Sequence, residues 1–178
     1  MAAMACFDWT GSIGEVTLGA TPEEGGTRRI SYRIGGGSTL PFLGNDHKPP
    51  SPLIAFEVCD HPALWPPVVR NFCGDLVNDV AGWAKTAETV YRADLVRLHL
   101  TSTRQRNFSG TDGVSKTVES VLSATTLPLI IEGSNEPRID SEVFQKCGEA
   151  GQGERLLLGT AEASRYRSIA AAALAYNH

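Results

Sequence analysis

Four short apolar runs constrain this chain more than any other feature. Each closes on polar side chains and each is followed by a helical pattern. The first is Leu53-Ile54-Ala55-Phe56-Glu57-Val58-Cys59-Asp60, entered after Pro52. Its β-branched and aromatic content over so few residues predicts a strand buried on both faces, as in parallel sheets. Asp94-Leu95-Val96-Arg97-Leu98-His99-Leu100, Pro128-Leu129-Ile130-Ile131-Glu132 and Glu154-Arg155-Leu156-Leu157-Leu158-Gly159 repeat the pattern. In parallel barrels and open α/β sheets, ligands bind at the carboxyl ends of the strands. Here those ends carry Glu57, Cys59 and Asp60; His99, Thr101 and Ser102; Glu132, Ser134 and Asn135; and Thr160.

The intervening segments have helical periodicity. Asn78 or Asp79 caps a helix to about Arg92, with Val80, Trp83, Ala84, Ala87, Val90 and Tyr91 on one face. Thr111 or Asp112 starts a second, with Val114, Val118, Val121 and Leu122 inward. A third runs from Asp140 to Ala150, with Val143, Phe144 and Cys147 inward and Gly151 as its stop. Ser164 caps a fourth to Ala175, with Tyr166, Ile169, Ala170, Ala173 and Leu174 inward. Val68 to Val77 reads as an unassigned connector, and the prolines from Pro62 to Pro67 bar a regular helix there.

The chain therefore reads as four β–α units of α/β class, joined by right-handed crossovers. Its 178 residues suit one folding unit. A complete eight-unit barrel needs ~250 residues. An open four-stranded sheet and a partial TIM-type (β/α) barrel both accommodate the pattern.

Residues 1–44 differ from the partial barrel expected over 45–178. Glu15-Val16-Thr17-Leu18 and Arg29-Ile30-Ser31-Tyr32-Arg33-Ile34 alternate as strands, and Thr21-Pro22-Glu23-Glu24-Gly25-Gly26 is turn chemistry. A β-hairpin is expected. The glycine-rich stretch Gly35 to Phe42 precedes a strand instead of opening onto a helix, so it fails the requirement for a phosphate loop.

Composition narrows the function classes. An apolar fraction of 42% supports a core, and a net charge of −4 without a basic cluster argues against nucleic acid and anionic lipid. Residues 1–8 lack the basic and apolar regions of a signal peptide, and no run approaches ~18 apolar residues. A cytoplasmic location is the expectation. Cys6, Cys59, Cys73 and Cys147 form no Cys-x-x-Cys pair, so neither an iron–sulfur cluster nor a zinc site is expected from spacing. They read as reduced structural thiols. His99 could be a metal ligand or act as a base, but a lone strand histidine is more often structural. Glu57 and Glu132 could act as acid and base; hydrogen bonding to loop amides at the top of the sheet is the favoured role. Trp65 and Trp83 read as packing anchors.

Several stretches together resemble one family. They are Gly35-Gly36-Gly37-Ser38-Thr39-Leu40-Pro41-Phe42-Leu43, Ile54-Ala55-Phe56-Glu57-Val58, Trp65-Pro66 and Asp94-Leu95-Val96-Arg97-Leu98. Pro128-Leu129-Ile130-Ile131, Asn135-Glu136-Pro137, Leu156-Leu157-Leu158-Gly159 and Ile169-Ala170-Ala171-Ala172 follow in the same order. The set is similar to the N-terminal half of the small (delta) subunit of the corrinoid iron–sulfur protein, part of the acetyl-CoA decarbonylase/synthase system. The resemblance covers roughly residues 14–178. It implies a TIM barrel, completed in that family by further polypeptide, that pairs as a heterodimer with a large subunit. The large subunit carries the iron–sulfur cluster and the corrinoid domain, and the barrel mouth faces the corrin. This chain would then hold no cluster and would share a cobamide with its partner. It would meet a methyltransferase and acetyl-CoA synthase transiently, during methyl transfer from a methyltetrahydropterin. Thr101, Ser134, Asn135 and Thr160 are the expected corrin-facing residues, and no catalytic residue is expected. The rival expectation is a barrel methyltransferase binding the pterin directly through Glu57, Asp60, Glu132 and Asn135.

Overall fold

The computed structural model describes residues 11, 13–36, 51–61, 65–104, 108 and 110–178. The expectations placed on residues 1–8, on Cys6, on Gly37 to Phe42 and on Pro62 to Leu64 lie outside them.

The hairpin is present. Strands β1 (Glu15–Leu18) and β2 (Tyr32–Gly35) pair antiparallel, Val16 opposite Ile34. Between them a single 3-10 turn, Pro22–Glu24, is closed by a capping box from Thr21 and Glu24.

Strands β3 (Ala55–Cys59), β4 (Leu95–His99), β5 (Leu129–Glu132) and β6 (Leu157–Gly159) form one parallel sheet in chain order. Helices α2 (Val80–Thr89), α3 (Asp112–Ala124), α4 (Pro137–Ala150) and α5 (Tyr166–Ala175) pack in a row, each on the next. Their inward residues Trp83, Val118, Val121, Phe144 and Ile169 share one core with Val58, Val96, Leu98, Leu129 and Ile131 of the strands. The helices therefore cover one face of the sheet. The shorter α1 (Pro67–Cys73) and a 3-10 turn, Gly74–Asn78, occupy the stretch expected as a connector. Pro66 and Pro67 sit at the N-cap and first position of α1, where a missing N–H costs nothing.

The α/β class and the parallel and antiparallel sheets agree with the sequence. Closure into a barrel is not seen: the four described strands form an open sheet, and a barrel needs about eight. β3 is also not buried on both faces. Val58 is fully buried, whereas Ala55 is exposed and Glu57 half-buried. The fourth run yields a strand only from Leu157, because Glu154 turns away to an ion pair beneath the sheet. In α5 only Ile169 and Ala172 are buried, while Leu174 and Tyr166 are exposed. The buried face of α5 is therefore narrower than its pattern suggests. Val90 and Tyr91 lie beyond the end of α2 and are exposed, although the Tyr91 ring stacks on Phe56 at 4.9 Å.

The hairpin is tied to the amino ends of the strands. Gly19 N–H donates to Arg155 O, and Arg29 N–H to Thr126 O, both at 3.0 Å. The Asp94 carboxylate accepts from Ile54 N–H at 2.8 Å just before β3. Arg28, buried, reaches between these loops to Glu154 at 2.8 Å. This bracing leaves the carboxyl ends to the loops that carry the polar residues. Among the described residues, no helix is long and apolar enough to cross a membrane.

Candidate functional site

Register decides which side chains meet on the face away from the helices. Glu57, Arg97, Ile130 and Leu157 stand side by side across β3 to β6. One step nearer the carboxyl ends, Cys59, His99, Glu132 and Gly159 form the next row. Because side chains alternate, both rows share one face. Leu157 is 42% exposed there, so no helix layer among the described residues covers this face as the other is covered.

Arg97 is the centre of the charge arrangement. Its guanidinium donates to Glu57 Oε2 through one terminal nitrogen and to Glu132 Oε2 through the other. His99 sits between the same carboxylates, with Nδ1 3.7 Å from Glu57 Oε1 and Nε2 3.9 Å from Glu132 Oε1. Nε2 is buried and has no hydrogen-bond partner. Loss of hydration lowers the His99 pKa; Glu132 opposes this, and Arg104 and Arg97 add to it. The imidazole is therefore neutral at pH 7 and can offer a lone pair. Beside it, Cys59 is buried, its Sγ 3.8 Å from Glu57 Oε1 and accepting the Trp65 indole N–H at 2.7 Å. Burial pushes this thiol up to about 11. A protonated thiol is a poor nucleophile, which agrees with the structural reading of this cysteine. The two tryptophans pack edge to face at 5.0 Å. Ligand atoms of Glu57, Cys59 and His99 all lie within 4.8 Å of one another and could hold a metal ion.

Glu57 and Glu132 are held by Arg97 instead of bonding loop amides, which corrects that expectation. A charge in the middle of a buried strand would be unsupportable; on a half-open face it is satisfied by two neighbours in register.

The rim above is built from two braced loops. Asp60 accepts from Thr101 Oγ1 at 3.1 Å and Ser102 N–H at 2.9 Å, and from the Ser102 hydroxyl. Thr101 Oγ1 also bonds His61, donating to its carbonyl at 2.7 Å. Thr101 is buried, so it braces the β3 and β4 ends together. Asp140, at the start of α4 and buried, accepts from Ser134 N–H at 2.7 Å and its hydroxyl at 2.8 Å. Ser134 Oγ in turn accepts from Glu136 N–H at 3.0 Å. Arg104 Nε donates to Ser134 O at 3.0 Å and links the two loops. Asn135 is exposed in the left-handed region (φ 64°), and Thr160 is exposed after β6. All four residues expected to face a corrin thus follow β4, β5 or β6 at one end of the sheet. Asn135 and Thr160 are the solvent-exposed pair. Of the groups expected to bind a pterin, Glu57, Asp60 and Glu132 are engaged within the chain.

The Glu57, Cys59 and His99 grouping was not anticipated from spacing. Its signal is non-local: Cys59 and His99 are the last residues of adjacent strands and pair in register.

Comparison with known proteins places the chain in one family. A family model described as the CO dehydrogenase/acetyl-CoA synthase delta subunit matches residues 15–178. The chain is 36% identical over 174 residues to the acetyl-CoA decarbonylase/synthase complex subunit delta of Archaeoglobus fulgidus, covering 96% of this chain and 38% of that protein. It is 34% identical over 173 residues to subunit delta 1 of Methanosarcina thermophila, covering 96% and 40%. For the Methanothermobacter thermautotrophicus delta subunit the identity is 35% over 173 residues, covering 96% and 43%. The chain spans about two fifths of the length of these relatives.

Proposed function

Since the chain belongs to the CO dehydrogenase/acetyl-CoA synthase delta subunit family, we propose that it is a corrinoid-protein subunit of an acetyl-CoA decarbonylase/synthase complex. It forms part of a (β/α) barrel whose carboxyl-end rim covers a cobamide held by a large iron–sulfur subunit. Together they present that cobamide to a methyltetrahydropterin methyltransferase and to acetyl-CoA synthase in the cytoplasm. The chain turns over no substrate by itself.

The observation that carries this reading is the singly wound parallel sheet. Its strands run in chain order, its helices lie on one face, and its polar loops gather at one end. A parallel sheet is ordinarily covered on both faces, and continuing the same winding curls the open face inward to make a barrel. The hairpin would then close the amino end, leaving the carboxyl end as the mouth.

The rim residues suit a corrinoid. Such a macrocycle is fringed with amides and needs hydrogen-bonding groups on a rigid support. Asn135 and Thr160, both exposed, would meet those amides. Ser134 and Thr101 would hold the rim in place through Asp140 and Asp60. When bound, the cobalt supplies the methyl-carrying chemistry, and the protein supplies shape and exclusion of water.

The test is reconstitution. The chain is mixed with the large corrinoid iron–sulfur subunit, and co-elution and retained corrinoid absorbance are measured. A stoichiometric complex is expected, with slower corrinoid loss than from the large subunit alone. Asn135→Ala combined with Thr160→Ala should keep the complex but lose that retention. Absence of any complex would refute the proposal.

A further inference from the structure

We propose that Glu57, Cys59 and His99 form a binding site for one zinc ion on the open face of the parallel sheet, just below its carboxyl-end rim. The three supply carboxylate, thiolate and imidazole, a donor set typical of zinc. Tetrahedral zinc with bonds of about 2.0–2.3 Å places its ligand atoms roughly 3.3–3.7 Å apart. Here His99 Nδ1 and Cys59 Sγ stand 3.7 and 3.8 Å from the same oxygen, Glu57 Oε1, and all three atoms fall within 4.8 Å. Small side-chain rotations complete the geometry.

The surroundings match what a zinc ligand set requires. Metal-bound histidines hold their other ring nitrogen against a carboxylate, and Glu132 Oε1 stands 3.9 Å from the buried, unpartnered Nε2 of His99. Glu57 divides its oxygens, Oε1 toward the proposed ion and Oε2 toward Arg97. The Trp65 N–H on Cys59 Sγ stabilises negative charge on sulfur. Arg97 and Arg104 are the cations that act on His99, and Glu57 and Glu132 pair with Arg97. Binding forms the sulfur–zinc bond and releases the thiol proton to buffer, with no redox change. The strands, not a local cysteine motif, assemble the ligands: Cys59 and His99 are register partners on β3 and β4.

The site uses this chain's own side chains and does not depend on the corrinoid reading, because its test needs no partner subunit and no corrinoid. Metal-stripped chain, its fold checked by circular dichroism, is titrated with zinc against a chromophoric chelator and separately with cobalt(II). One equivalent of each is expected, with a thiolate-to-cobalt charge-transfer band and the intense visible bands of tetrahedral cobalt. Cys59→Ser should abolish the charge-transfer band, whereas Cys73→Ser should keep it. Glu132→Gln should weaken zinc binding by about 10–100-fold while keeping the stoichiometry. A folded chain that binds no zinc, or a band that persists in Cys59→Ser, would overturn the site.

Discussion

The buried part of the hairpin's attachment beneath the sheet centres on one guanidinium, and its removal has a calculable cost. Arg28 is 2% exposed and donates to Glu154 Oε2 at 2.8 Å, Thr125 O at 2.6 Å, Leu122 O at 2.9 Å and Leu127 O at 3.3 Å. Glu154 is also buried and accepts from Thr27 N–H at 3.1 Å and the Thr27 hydroxyl at 2.7 Å. Arg28→Met leaves a buried carboxylate without its cation and three carbonyls without donors. Breaking one partner of such a pair costs about 3–5 kcal/mol. That is a large share of a stability of about 5–15 kcal/mol. Glu154→Leu in the Arg28→Met background removes the stranded charge but not the bare carbonyls, so recovery is partial. The double-mutant cycle should therefore show a coupling of about 1–3 kcal/mol. Urea unfolding followed by far-ultraviolet circular dichroism measures each corner. The reasoning is refuted if Arg28→Met costs less than about 1 kcal/mol, or if the two substitutions simply add.

Three further outcomes follow from the geometry. Trp83 is 1% exposed and packs edge to face on Trp65, so Trp83→Ala should cost about 3–5 kcal/mol in the same urea assay. His99 and His178 both have pKa values lowered chiefly by burial, so the unfolded chain binds protons more readily below about pH 6.5. Stability is then fully present above that value and declines as pH falls toward the lowered folded pKa values; the urea midpoint should drop between about pH 7.5 and pH 5.5. His178→Gln should flatten part of that slope, since His178 Nδ1 accepts from Leu156 N–H and its ring bonds Gly148 O. Alkylation of the native chain, mapped by mass spectrometry, should modify half-buried Cys73 before Cys59 or Cys147, whose thiol pKa values burial raises.

The elements were legible because each rests on a local signal. Val114, Val118, Val121 and Leu122 recur at helical spacing, and all four are buried. Asn78 or Asp79 is expected as an N-cap, and it is the Asp79 carboxylate that accepts Gly82 N–H at 2.9 Å. The misreadings arose where a tertiary contact outvoted a local pattern. Glu154 and Leu156 continue an apolar-rich run, yet one serves Arg28, 126 residues away in sequence, and the other donates its backbone N–H to His178 Nδ1. Leu174 fits the inward face of α5 by spacing but is exposed. Periodicity states which residues share a face, and only the neighbours decide whether that face is buried.

The chemistry of the open face was harder to read for the same reason. Alternation puts Glu57 and Cys59 together, and separately Arg97 and His99, but it is silent on which strand lies beside which. Once β3, β4 and β5 are neighbours in parallel register, a cation falls between two anions and a thiol beside an imidazole. The charged residues of these apolar strands then account for one another. Arg97 can sit in the middle of β4 because Glu57 and Glu132 flank it, and those carboxylates tolerate their proximity because Arg97 lies between them. Replacing Arg97 alone would leave two carboxylates around one neutral imidazole. Their half-exposed position makes them a weak source of stability. A costly arrangement that contributes little to folding is better explained by what the open face binds than by what holds the sheet together.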